Sequence, residues 1–372
     1  MTVTLADVAR AVGCSSATVS RVINNIGPVS SETREAVLRA MKEVNYVPRP
    51  SLTPAAESNG RFEKASALIE VILYCDMPYE RLSVEDSKLK FGPLSNCPPH
   101  ERLTEANRLS NSFYHSIVDG IVLEAPHWGY KTALAPRSDL ANAEFLADLN
   151  RADKCGVLLV GMYGPQLQQF VQSCAHPLVL VDLVVEGTAP VVTFDNFAGI
   201  AKAFDHLYAL GHRAIGCVAG PHEIVAYRER CTAFRCRMAE KNLSVNEAWI
   251  YTGPQHIAPT QQWVAKVLEK SRPTAFICAN DFMAFATMKA AQQWGISIPK
   301  QLSITGFDDI DPASLITPAL TTVRVPTYEI GRQAVQQLEV QIKLKNRRPR
   351  VGACVRLAPE LIVRESTSQA SH

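Results

Sequence analysis

Apolar positions along the chain fall into three regimes. Over residues 2–45 they recur at helical spacing: Leu5, Val8, Ala9 and Val12 stand at i, i+3, i+4 and i+7, then come Val19, Val22 and Ile23, and Val37, Met41 and Val44 supply a further stripe. Three short helices are expected, the third opening near Ser30 or Ser31. Gly13 suits the positive φ of a tight turn between the first two, Ser15 is placed to cap the second, and Ala9 is small where helices must cross closely. Residues 46–65 (YVPRPSLTPAAESNGRFEKA) hold three prolines with Ser, Asn and Gly, the composition of a linker. From about residue 66, short apolar runs alternate with amphipathic helices, as in a parallel α/β sheet.

The apolar runs lie at 67–74, 156–160, 178–181, 191–194, 214–219, 275–278 and 302–306. Helical segments at 112–128, 143–151, 196–210, 225–241, 260–270, 281–294 and 327–345 fall between or after them. Two of these stop at glycine, Leu210-Gly211 and Trp294-Gly295, where a left-handed C′ residue is wanted. The strands exceed one sheet, so two doubly wound lobes are expected, with a ligand crevice at the strands' carboxyl ends. Residues 76–110 are polar, proline-interrupted and without a clean period; they read as a long loop, acting as a lid, a packing arm or plain surface.

Composition narrows the class. Of 372 residues, 47% are hydrophobic and 20% charged, which fits a globular protein with a sizeable core. The net charge of +2 gives no whole-protein pull toward nucleic acid, so DNA binding would need a local patch. Within residues 1–50 six basic side chains (Arg10, Arg21, Arg34, Arg39, Lys42, Arg49) face four acids, a mild surplus. No stretch approaches the roughly 20 apolar residues of a membrane span. The opening MTVTLADVAR has neither basic leader nor apolar core, so a cytoplasmic location is expected. Ten cysteines at irregular spacing then read as reduced thiols. Cys97 with His100, and Cys231 with Cys236, lack a second pair at a suitable distance, so neither metal nor cofactor is expected.

The second short helix leaves Ser16, Ala17, Ser20, Arg21 and Asn24 outward, a face of short polar groups and one arginine that can enter a major groove. Spacing alone also fits a three-helix bundle with a structural role. TLADVARAVGCSSATVSRVINN, followed by VSSETREAVLRAMKEVNYVPRP, resembles the opening of the lactose-repressor (LacI/GalR) family of bacterial transcription regulators. The likeness continues through NSFYHSIVDGIVLEAPHWGY, FDNFAGIAKAFDHLYALGHRAIGCVAGP, CANDFMAFATMKAAQQWGISIPKQLSITGFDDID, PALTTVRVP and PELIVRES, in the family's order and spacing.

That resemblance implies an all-α helix-turn-helix DNA-binding domain over 1–48 and a linker over 49–65. It further implies a two-lobed, periplasmic-binding-protein-like α/β sensor and dimerisation domain over 66–365. Lobe 1 is expected at about 66–190 plus 324–350, lobe 2 at about 191–323 plus 351–365, and an insertion at about 76–110. The implied partners are double-stranded operator DNA, a small effector of carbohydrate type and a second copy of the chain. Ser16, Ala17 and Arg21 fall at base-contacting positions, Arg21 being suited to guanine. Thr4, Ser15, Thr18, Ser20, Asn24 and Ser30 fall at phosphate contacts, with helix capping a compatible role. Arg230 and Asp281 fall where the family holds its effector. A solvated helix charge and a helix cap are the respective competing readings, and Asp195 and Asn196 read as caps.

Two departures stand out. The family's hinge helix places a leucine into the minor groove; here Ala55 takes that place and Pro54 interrupts the helix at a cost of roughly 3 kcal/mol. Weaker bending is expected, with Leu52 the available wedge in a shifted register. The C-terminal RESTSQASH carries no leucine heptads, which favours a dimer over a tail-assembled tetramer. A solute-binding protein of a transporter would lack the DNA head. An enzyme would need a nucleophile–base pair or metal cluster, and His115, His206, His212 and His222 suggest neither. A regulator of the same fold that answers to no effector stays open.

Overall fold

A computed structural model describes residues 9, 11–15, 18, 19, 22, 31–43, 67–74, 80–85, 88–93, 112–137, 139–161, 164, 166–183, 189–344 and 353–370. The chain divides into two compact units, Met1–Glu63 and Lys64–His372.

In the first unit residues 9, 11 and 12 are helical, and so are 18, 19 and 22. Between them Gly13 adopts φ 73°. A Cβ there would meet nothing within 4 Å, so conformation and not space demands the glycine. Cys14 N donates to Ala9 O at 3.1 Å, the six-residue closure that ends a helix at a left-handed residue. Helix α1 (Ser31–Glu43) completes the set. Ala9, Val19, Val22, Val37 and Ala40 form the core, with Val12, Cys14 and Met41 against it.

The second unit holds two six-stranded sheets and a separate hairpin. The first sheet runs β13 (Cys354–Leu357), β7 (Val191–Phe194), β6 (Leu178–Val181), β5 (Lys154–Gly161), β1 (Leu68–Tyr74), β4 (Lys131–Arg137), all parallel. The second runs β14 (Glu360–Ile362), β12 (Thr321–Arg324), β11 (Ser303–Asp308), β10 (Ala275–Cys278), β8 (Ile215–Val218), β9 (Ile250–Tyr251). Only β14 is antiparallel to its neighbour there. Strands β6, β7, β8 and β10 are buried at every residue, which is why they read as apolar runs, broken only by Thr193 in β7. Strands β4, β9 and β12 were not among the apolar runs. The first two lie at sheet edges and β12 opens on paired threonines, so apolarity does not mark them.

The helices are α2 (Ser112–Glu124), α3 (Ala143–Leu149), α4 (Leu167–Ser173), α5 (Asn196–Ala209), α6 (Val225–Glu240), α7 (Ile257–Lys270), α8 (Asp281–Gln293), α9 (Pro312–Leu315) and α10 (Thr327–Leu344). Helices α5 and α8 end before Gly211 at φ 90° and Gly295 at φ 65°, as their glycine stops suggested.

Two expectations need correction. The lobe boundary expected at 190/191 falls after Phe194, because β7 pairs with β6 and stays in the first sheet. Strand β13 also joins the first sheet, through β7, instead of the second lobe. The chain passes between lobes at 194–196, 324–327 and 357–360. The stretch 76–110 is likewise not one loop: β2 (Glu80–Glu85) and β3 (Lys88–Pro93) pair antiparallel. Its register sets Leu82 opposite Phe91 and Val84 opposite Leu89, a period of two hidden among charged residues.

Helices α2 and α10 cross on paired glycines. A Cβ on Gly120 would lie 2.1 Å from Tyr328 O, and one on Gly331 would lie 2.0 Å from Ile117 O. Both obstacles are backbone, so the helices would have to part. Gly331→Ala is expected to lose about 1–3 kcal/mol of stability in urea unfolding, the range for overpacked sites; an unchanged midpoint would show the crossing to be loose.

Candidate functional site

In the N-terminal unit Ser15 accepts a hydrogen bond at its Oγ from Thr18 N at 3.1 Å. The two hydroxyls share a second bond at 2.9 Å. Ser15 therefore caps the second helix, with its carbonyl also accepting from Thr18 N and Val19 N. Thr4, Ser16, Ala17, Ser20, Arg21, Asn24, Ser30 and Leu52 lie outside the described residues, as do Cys97 and His100.

In the second unit the site is built around Arg230, on α6 and only 4% exposed. Its Nε donates to Asn196 Oδ1 at 2.7 Å, and one terminal nitrogen donates to Ala279 O. Its guanidinium carbon lies 3.8 Å from the Phe307 ring centre, with Phe194 at 5.4 Å and Tyr227 at 5.6 Å. Phe194 ends a strand of the first sheet and Phe307 belongs to a strand of the second; their rings lie 5.9 Å apart. Arg230 thus sits at the junction of the lobes, where carboxyl ends of both sheets meet.

Two carboxylates share this junction. Asp308, at the end of β11, lies 3.7 Å from an Arg230 nitrogen. Asp182 directly follows β6 and accepts from Tyr114 Oη at 3.1 Å and Thr193 Oγ1 at 3.5 Å. Burial pushes each up to about 7, against the opposing pull of Arg230. Both stand at positive φ, 60° for Asp182 and 110° for Asp308, an unusual backbone for a side-chain-bearing residue. Next along, Asp309 accepts from Arg324 Nε at 2.7 Å and pairs with Arg364 at 2.7 Å.

Asp281 is fully buried. Its Oδ1 accepts from Thr322 Oγ1 at 2.5 Å and its Oδ2 from Ile310 N at 2.9 Å. Burial raises its pKa well above the ordinary carboxylate value. The cap of α8 is its neighbour Asn280, whose Oδ1 accepts from Met283 N at 2.8 Å. Asp281 is therefore neither the cap nor open to solvent; both oxygens face the chain. Likewise Asp195 caps α5, while Asn196 bridges Arg230 to Glu229, donating to its Oε2 at 2.8 Å. Sequence reading passed over Asp182, Asp308, Phe307 and Tyr227. The signal available was position: each aspartate stands at the carboxyl end of an apolar strand, LVLV or SITGF.

Residues 4–49 match the family described as bacterial regulatory proteins, lacI family, and residues 204–367 match the periplasmic binding protein-like domain. The HTH-type transcriptional repressor PurR of Photobacterium profundum is 29% identical, covering 98% of each chain. The repressor CytR of Escherichia coli is also 29% identical, over 98% of this chain and 96% of its own. A solved complex of the transcriptional regulator CelR with cellobiose superposes with a TM-score of 0.64 at 26% identity, over 98% of this chain and 99% of that one. This chain belongs to the LacI family.

As a LacI-family member it is a helix-turn-helix DNA-binding regulator of transcription with a periplasmic-binding-protein-like domain. No helix among the described residues is long and apolar enough to cross a membrane. The buried acids give the second unit a defined pH response. Asp182 and Asp308 hold protons up to about 7 when folded, against 3.8 ordinarily, so unfolding between those values releases protons. Their contribution to stability is complete below about pH 4 and is lost as pH rises to about 7. Melts across that window are expected to show stability falling from these groups, with a shallower slope in Asp308→Asn; an identical slope would rule out Asp308 as a source.

Proposed function

We propose that the chain represses transcription by binding a pseudo-palindromic operator as a homodimer, under control of a small carbohydrate or carbohydrate derivative held beside Arg230. Residues 1–48 form the DNA head, 49–65 the linker and 66–365 the sensor, with the lobes exchanging at the three passages described above. Arg21, Ser16 and Ala17 meet base edges. Thr4, Ser15, Thr18, Ser20, Asn24 and Ser30 meet phosphates, and Leu52 supplies the hinge wedge. The Ser15–Thr18 pair supports this assignment: two hydroxyls share one mutual bond, which leaves one proton to donate to a phosphate oxygen.

For the effector, the carrying observation is Arg230: a buried guanidinium at the seam of two lobes, sandwiched by aromatics and contacted from both sheets. A ligand there changes the relative position of the lobes, and the linker passes that change to the paired heads. The coupling equals the ligand's differential affinity for the two states, about 1–3 kcal/mol. Asp281, closed off from solvent, acts in this scheme by fixing the Ile310 and Thr322 segments around the site. That CelR is solved with cellobiose supports the carbohydrate class. A regulator that ignores effectors is the second reading, favoured by the in-chain partners that Arg230 already has.

Binding to operator fragments selected from genomic DNA separates these roles. Arg21→Ala is expected to cost about 1–3 kcal/mol of discrimination at one base pair in each half-site. Arg230→Ala is expected to keep operator affinity and lose any response to ligand. Operator binding by Arg21→Ala as tight and selective as wild type would overturn the recognition-helix assignment. A ligand response that survives in Arg230→Ala would move the effector elsewhere.

A further inference from the structure

The carboxylates that face Arg230 come from opposite lobes, Asp182 from the end of β6 and Asp308 from the end of β11. We propose that this pair selects the effector: the site takes a neutral or amine-bearing ligand whose hydrogen-bond donors bridge Asp182 to Asp308, and it refuses ligands carrying carboxylate or phosphate. The inference rests on the reading of this junction as the effector site.

Charge matching is the first argument. Arg230 is already held by Asn196, Ala279 and Asp308. The neighbouring arginines are engaged as well: Arg356 with Glu229 at 3.1 Å, and Arg324 and Arg364 with Asp309. Arg228 donates to His222 O at 2.9 Å. An anionic ligand would have to strip Asp308 from Arg230 and leave a carboxylate without its counter-charge, which is strongly unfavourable in a desolvated site.

Exposure points the same way. The Arg230 side chain is 5% exposed and that of Asp308 18%, and Asp182 is half-buried. A ligand reaching the junction meets acceptors before it meets the guanidinium. Ionised carboxylates only accept, with room for several donors each. Asp182 receives two hydroxyls from its own lobe, Tyr114 and Thr193, and retains lone pairs for a third donor. Burial has raised both acids toward neutrality, so donors that stabilise their ionised form recover solvation lost on folding. Because the acids belong to different lobes, a bridging ligand also relieves their mutual repulsion and draws the lobes together. Selection and closure would then be one event.

Thermal melts of the full-length chain test this with matched probes: glucose, glucosamine, gluconate and glucose 6-phosphate, and likewise ribose with ribose 5-phosphate and adenosine with its monophosphate. The uncharged or amine member of at least one series is expected to raise Tm. Asp182→Asn and Asp308→Asn, confirmed as folded by circular dichroism, should each weaken that ligand about tenfold or more, the usual scale for a charged hydrogen bond. Asp308→Asn frees Arg230 and should newly admit the acidic member of the same series. If an acidic member binds wild type at least as tightly, and the effect vanishes in Arg230→Ala, the selection argument fails while the effector site stands. If no probe shifts Tm, the effector reading itself falls, and the selection argument with it.

Discussion

One guanidinium buried between two lobes constrains the rest of the sensor unit. Taking Arg230 out of water costs several kcal/mol unless every donor direction is answered. The answers come from separate chain segments: Asn196 at the start of α5, Ala279 at the end of β10, Asp308 at the end of β11, and the Phe307 face beneath. These partners can converge only if strands of both sheets end in the same place. The parallel arrangement does this, since every β-to-α turn of a parallel sheet opens on the same edge. Arg230 is therefore a group around which the two lobes are positioned.

The passages of chain between the lobes run close to this group. The first leaves β7 at Phe194, whose ring packs against Phe307, and enters α5 at Asn196, which holds Arg230. The second leaves β12 at Arg324, and β14 is followed closely by Arg364; Asp309 binds both arginines. Asp308 faces Arg230 and Asp309 faces the passages. Adjacent residues at positive φ thus join Arg230 to the segments that connect the lobes.

The DNA-binding unit depends on a different economy. Among the described residues its core is built from Ala9, Val19, Val22, Val37 and Ala40, and backbone features shape the turn: a left-handed Gly13, the Ala9–Cys14 closure and the Ser15 cap. Those backbone features fix where the second helix begins.

Much of this was legible in the sequence. Helical periodicity in the first 45 residues, the glycine stops after Leu210 and Trp294, and the apolar runs of central strands are local signals, and local propensity together with burial pattern sets them directly. Arg230 could be named because a residue-by-residue likeness carried it. The edge strand Lys131–Arg137 was not legible, because a half-exposed strand carries no continuous apolar signature, and the hairpin Glu80–Glu85 with Lys88–Pro93 was hidden by the charged residues in its sequence. Val191–Phe194 joins the first sheet by pairing with nearby Leu178–Val181, but Cys354–Leu357 was placed by pairing with a segment more than 150 residues away, information no local window holds. The same holds for the acids. The sequence places Asp182, Asp281 and Asp308 each near a strand's end in identical terms. Only the tertiary arrangement turns two toward Arg230 and closes the third against Thr322, because desolvation and pairing are properties of what surrounds a side chain in space.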